Sequence, residues 1–148
     1  MDYIDSKELE KELIMFSTTY KSEIKRLVKE KGFKKREAEK IARGYISQEL
    51  GEMFMMIANN LINKNNFNNY TYRDEMIGLG IEYLCRFAKN YNKRKESHNA
   101  FAYCTKICFN GFIQVILKEK KKSKVKDYLI REASAESELE KWLSRDED

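Results

Sequence analysis

A chain of 148 residues with 42% hydrophobic and 12% aromatic content is long enough for one self-standing core, while 36% charged residues and a mean hydropathy of −0.72 demand a heavily solvated exterior. With no proline and only six glycines, the punctuation of a sandwich or barrel is missing, and collagen-like and Pro-rich readings are excluded. The net charge of +5 is unevenly placed: residues 1–85 balance 14 Lys/Arg against 14 Asp/Glu, residues 86–131 hold 13 against 3, and residues 132–148 hold 2 against 7. A basic centre points to a polyanionic partner, and an acidic end to a solvated or protein-binding tail. No apolar run is expected to reach the roughly 18 residues of a membrane span, and MDYIDSKELEKE is acidic where a signal peptide is basic, so a cytoplasmic protein without a membrane partner is expected. Cys85, Cys104 and Cys108 contain no CxxC pair, and with the single histidine, His98 in a polar turn, they make neither a disulfide framework nor a zinc set. Reduced core thiols, no metal and no cofactor are expected.

In chain order, Ser6 is a natural N-cap for a helix with apolar residues at Leu9, Leu13, Phe16, Tyr20, Ile24 and Leu27, stopped at Gly32. Ile41, Tyr45, Met53, Phe54, Ile57 and Leu61 predict a second helix that ends in the turn-forming stretch NKNNFNNY at 63–70. Gly44 and Gly51 weaken it by about 1 kcal/mol each relative to Ala, and their spacing of seven predicts close packing against a neighbour. Thr71 and Asp74 resemble a capping box at the start of a third helix over 73–92. Ile77, Ile81, Leu84, Ala88 and Tyr91 line its inward face, and Glu75, Leu79, Glu82, Arg86 and Lys89 the opposite one. Asn99 can cap a fourth helix, in which Phe101, Cys104, Cys108, Phe112 and Val115 cluster inward while Tyr103, Lys106, Asn110 and Gln114 share the outward face. No segment alternates with period two. The expected fold is therefore all-α: a compact multi-helix domain with an additional N-terminal helix over residues 1–40 and an acidic tail over residues 127–148.

Residues 41–122 resemble region 2 of bacterial sigma factors, and the late sigma factors of large tailed, T-even-like bacteriophages most of all. The E-M-I-x-x-G-I-E core of the late factors stands here at Glu75 to Glu82, an Asn-Ala-x-Ala-Tyr turn at 99–103, and a C-F-N-x-F-x-Q motif followed by a basic run at 108–122. The resemblance implies a transcription initiation factor that directs bacterial core RNA polymerase to AT-rich, −10-like late promoters. It implies that Glu75, Leu79, Glu82, Arg86 and Lys89 dock on the clamp helices of the polymerase largest subunit. It further implies that the next helix reads promoter DNA through Tyr103, Lys106, Asn110 and Gln114, with Lys118, Lys120, Lys121, Lys122 and Lys124 on phosphates. The residue chemistry agrees, because amides can contact adenine in bidentate fashion, a ring can stack on an unpaired base, and lysines add salt-dependent affinity.

The sequence departs from primary sigma factors after Tyr103 and Thr105, where Lys106 and Ile107 stand in place of two tryptophans, so base capture would fall to Tyr103, Phe109 or a smaller apolar wedge and weak intrinsic melting is expected. No helix-turn-helix for an upstream element is expected in the last 26 residues. By resemblance, Leu139, Trp142 and Leu143 in the acidic end form a docking peptide for a phage sliding clamp, acting with a late coactivator. Adjacent Asp74 and Glu75 point apart on a helix and lack a nucleophile or phosphate loop, so no catalytic residues are expected and the protein is not read as an enzyme. An alternative is an interaction protein that binds polymerase and redirects or inhibits it without reading DNA. A metal-dependent nuclease would need an acidic cluster on one face, which the sequence lacks.

Overall fold

In the computed structural model the described residues are 4–64, 67, 70–92 and 99–145, with the side chains of residues 135, 136, 138, 139, 142, 144 and 145 outside that description. These residues form α1 (Ser6–Glu30), α2 (Lys35–Arg43), α3 (Gln48–Ile62), α4 (Arg73–Phe87), a 3-10 turn (Ala88–Asn90) and α5 (Ala100–Arg145). No strand occurs among them, so the fold is all-α. The chain divides into two units, Met1–Ile113 and Gln114–Asp148.

In the first unit, α1 is capped one residue earlier than expected. The Asp5 carboxylate accepts from the backbone N–H groups of Lys7 at 2.9 Å and Glu8 at 3.4 Å, and leaves Ser6 as the first helical residue. Leu9, Leu13, Phe16, Tyr20 and Leu27 are buried along one stripe of α1. Gly32 ends the run at φ 71°, a conformation that costs glycine little, and the Phe33 N–H turns back to the Leu27 carbonyl at 3.1 Å. The long helix expected from Ile41 to Leu61 is two helices. Its break lies at residues 44–47, where Ser47 caps α3: its Oγ accepts from the Leu50 N–H at 3.1 Å and donates to Glu12 of α1 at 2.9 Å. Both α2, through buried Ala38 and Ala42, and α3 pack against α1. The N-terminal helix is thus part of the unit's core.

The glycines that set close packing are also different from those expected. Gly44 ends α2, and Gly51 has open space around its Cα. The close approach is between α4 and α5: a Cβ on Gly111 would lie 2.9 Å from the Gly80 Cα, and one on Gly80 would lie 2.7 Å from the Phe112 ring. This crossing rotates the buried face of α4 to Met76, Gly80 and Leu84, leaving Ile77 and Ile81 half-buried. Thr71 makes no cap; Tyr72 precedes α4 without a side-chain capping bond. Asn99 does cap α5, its Oδ1 accepting from the Ala102 N–H at 2.8 Å. Cys104, Cys108 and Phe112 are buried as expected, whereas Phe101 is exposed.

In the second unit α5 runs on to Arg145, so residues 127–145, expected as a tail, are helical. The segment is rich in Glu and Leu and lacks Gly and Pro, which favours helix over coil. The helical stretch Ala100–Ser134 contains an 18-residue window of mean hydropathy 1.4 that passes for a membrane span by length and composition only, and 39% of it is buried in the protein.

Candidate functional site

On α4 the face opposite Met76, Gly80 and Leu84 carries the charged stripe expected from the sequence. Arg86 pairs with Glu82 one turn earlier at 2.6 Å, both partly exposed, and its guanidinium lies 5.8 Å from the Tyr83 ring centroid. Glu75 is exposed and Leu79 half-buried. Lys89 belongs to a different environment: its Nζ donates to the Tyr20 hydroxyl at 3.3 Å and sits 5.2 Å from that ring's centroid, while the Ser17 hydroxyl donates to the Lys89 carbonyl at 2.9 Å. It therefore ties the 3-10 turn to α1, and the exposed part of the stripe is Glu75, Glu82 and Arg86.

On the part of α5 within the first unit, Lys106 and Asn110 are exposed one turn apart. Tyr103, expected on the same outward face, is drawn inward. Its hydroxyl donates to the Phe87 carbonyl at 3.1 Å and its ring meets Tyr91 edge-on at 5.1 Å. Phe109, 40% exposed, lies beside Lys106 and Asn110 and is braced from below by buried Phe67, 5.8 Å away, which in turn packs on Phe112 at 5.3 Å. Of the two rings the sequence offers for base capture, Tyr103 and Phe109, the exposed one is Phe109.

In the second unit Gln114, Lys118, Lys120, Lys121, Lys122 and Lys124 are all exposed, with Lys122 3.5 Å from Glu119. Leu143 is also exposed; the side chains of Leu139 and Trp142, and all of His98, lie outside the described residues.

One feature escapes the sequence pattern. A polar pocket of roughly 530 Å³ is lined by Asn59, Asn63, Thr71, Arg73 and Asp74 with Ile62 and Ile77, where Arg73 donates to the Asn63 amide oxygen at 2.9 Å. The clustering of Asn, Thr and Asp at 59–74 was its only signal, and that reads as turn chemistry. Burial pushes the Cys104 and Cys108 thiols up to about 12, and burial together with the nearby Glu82 carboxylate raises Cys85. Such thiols stay protonated and do not serve as nucleophiles near neutral pH. Among the described residues no group of three His, Cys, Asp or Glu side chains could hold a metal ion. Comparison with protein-family models, curated proteins and solved structures finds no match for the chain.

Proposed function

We propose that the protein is a sigma-like transcription initiation factor, acting in the bacterial cytoplasm, that binds core RNA polymerase and directs it to AT-rich promoters. The observation that carries this reading is the exposed set Lys106, Phe109 and Asn110, on a helix whose other side is anchored by Cys104, Cys108 and Phe112. A cation for phosphate, a ring for an unpaired base and an amide for an adenine edge stand together on one rigid element. The lysine run of the second unit adds affinity for any nucleic acid. Glu75, Glu82 and Arg86 provide a separate charged surface for polymerase, so the two partners need not compete for one face. In this reading Tyr103 and Lys89 hold the helices in place, and Leu139, Trp142 and Leu143 tether the complex to a sliding clamp with the help of a coactivator.

The test is run-off transcription by bacterial core polymerase on an AT-rich late-type promoter, with and without the protein and with and without a phage sliding clamp. Specific transcripts that require the protein are expected, with clamp stimulation lost when the chain ends at Ser137. Binding of polymerase without promoter-specific transcripts would replace this reading with that of an interaction protein that redirects the enzyme.

A further inference from the structure

The second unit has one side on which lysines and apolar residues stand together. A shallow groove of roughly 440 Å³ is lined there by Lys118, Lys121, Lys122, Val125, Lys126 and Leu129. Val125 and Leu129, one turn apart, are 52% and 59% exposed, and Tyr128 is exposed next to them. Residues 114–131 hold seven basic against two acidic residues. At about 100° per residue both acids fall away from the groove, Glu119 about 120° and Asp127 about 160° around the helix from Val125. Lys122 reaches across to Glu119 at 3.5 Å, while Lys118, Lys121 and Lys126 form no ion pair among the described residues. The side closes at Glu132, to which the Tyr128 hydroxyl donates at 2.8 Å.

We propose that this side of the helix docks on an anionic lipid surface, with the helix lying in the plane of the headgroups. Its residues call for a partner that is anionic and apolar at once. Nucleic acid supplies phosphate but leaves Val125, Tyr128 and Leu129 in water. A bilayer of acidic phospholipid meets both needs. Val125 and Leu129 enter the boundary between headgroups and acyl chains, while the lysine stems lie along the same apolar surface and carry their ammonium groups out to the phosphates. Tyr128 suits that boundary, with a ring for the apolar side and a hydroxyl for the wet one. A folded protein partner would need an acid placed for each lysine, whereas a fluid sheet of headgroups meets lysines at any spacing. The helix lies on the surface and does not cross it, because residues 118–126 would carry six lysines into hydrocarbon. Surface contact needs neither a span nor a leader, the two signals on whose absence the expectation of no membrane partner rests. The docking does not depend on the transcription reading: either partner's phosphates use the lysines, but only lipid uses the apolar residues.

Co-sedimentation of the full chain with vesicles of phosphatidylglycerol and phosphatidylcholine in equal parts tests it, beside vesicles of phosphatidylcholine alone. Binding to the anionic vesicles should exceed that to the neutral ones by about tenfold or more, and should fall as ionic strength rises from about 0.05 M to about 0.5 M. Val125→Ser with Leu129→Ser should cut vesicle binding by about tenfold or more, with helicity and affinity for duplex DNA as in the parent. Lys121→Ala and Lys122→Ala should weaken vesicle binding by about fivefold for each lysine removed. A chain that does not sediment with anionic vesicles, or a serine variant that binds them as the parent does, would overturn the proposal. So would a helical serine variant that loses DNA and vesicles together, or a solution dimer that shields Val125 and Leu129 and ignores lipid. A parent that binds anionic vesicles but no DNA would leave this proposal standing and remove the transcription reading.

Discussion

At the scale of single residues, the tightest constraint in the first unit is the crossing of Gly80 and Gly111. A methyl group on Gly111 would meet the Gly80 Cα at 2.9 Å, and the Gly80 nitrogen and Leu79 carbonyl oxygen at 3.0 Å. These are backbone atoms, which cannot swing aside, so overpacking of about 1–3 kcal/mol outweighs the helix gain of about 1 kcal/mol. Gly111→Ala should lower the denaturant midpoint. Gly51→Ala, inside α3 with no atom within 4 Å, should raise stability by about 0.5–1 kcal/mol. The sequence pointed to Gly44 and Gly51 because a spacing of seven marks one helix face, but which glycine touches another backbone depends on the partner helix, and no single-helix pattern contains that. The thiols give a second residue-scale prediction. Cys104 and Cys108 are raised from the ordinary 9.0 to about 12 in the folded chain, so unfolded thiols ionise first as pH rises. Their contribution is complete below pH 9 and is lost progressively between pH 9 and about 12. Denaturant unfolding followed across that range should show stability falling less steeply in a Cys104→Ala, Cys108→Ala variant than in the parent.

At the scale of elements, α4 illustrates how far periodicity reaches. Its charged and apolar sides were legible, because a 3.6-residue repeat separates Glu75, Glu82 and Arg86 from Leu84. Its exact rotation was not, because the Gly80 crossing pulls Met76 inward in place of Ile77. Similarly, the break between α2 and α3 hides in a continuous apolar pattern; what makes it is Ser47 held between the Leu50 N–H and a carboxylate 35 residues earlier. Lys89 and Tyr103 looked outward by angle alone, and each is turned by one long-range partner, Tyr20 or the Phe87 carbonyl. The exposed stripe leads to a sharp experiment. Exchanging Glu82→Arg with Arg86→Glu keeps an i,i+4 pair, worth about 0.2–0.5 kcal/mol at most, while inverting the local field. Thermal stability should therefore change by little, and co-purification with core polymerase should be lost. Retained co-purification would remove α4 from the polymerase interface.

At the scale of the whole molecule, the proposed function would divide between the two units according to charge. In that reading the first unit would discriminate bases through exposed Phe109 and Asn110 beside Lys106, and the exposed lysines of the second would contact phosphate alone. Loss of the two kinds of contact should leave different signatures. Each phosphate contact contributes about 0.9 to the slope of log affinity against log salt, so Lys121→Ala with Lys122→Ala should flatten that slope by nearly 2 while weakening all DNA sequences alike. Asn110→Ala should leave the slope unchanged and cost about 1–3 kcal/mol on promoter DNA only, because the adenine edge that an amide satisfies is sequence information. The measurement is fluorescence anisotropy of promoter and scrambled duplexes bound by the polymerase complex, titrated at several salt concentrations. If Asn110→Ala weakened both duplexes equally, α5 of the first unit would contact backbone alone, and promoter choice would have to reside in another surface. If the double lysine variant changed neither affinity nor slope, the basic segment would be assigned to protein partners, with the acidic half of its own helix the nearest match in charge.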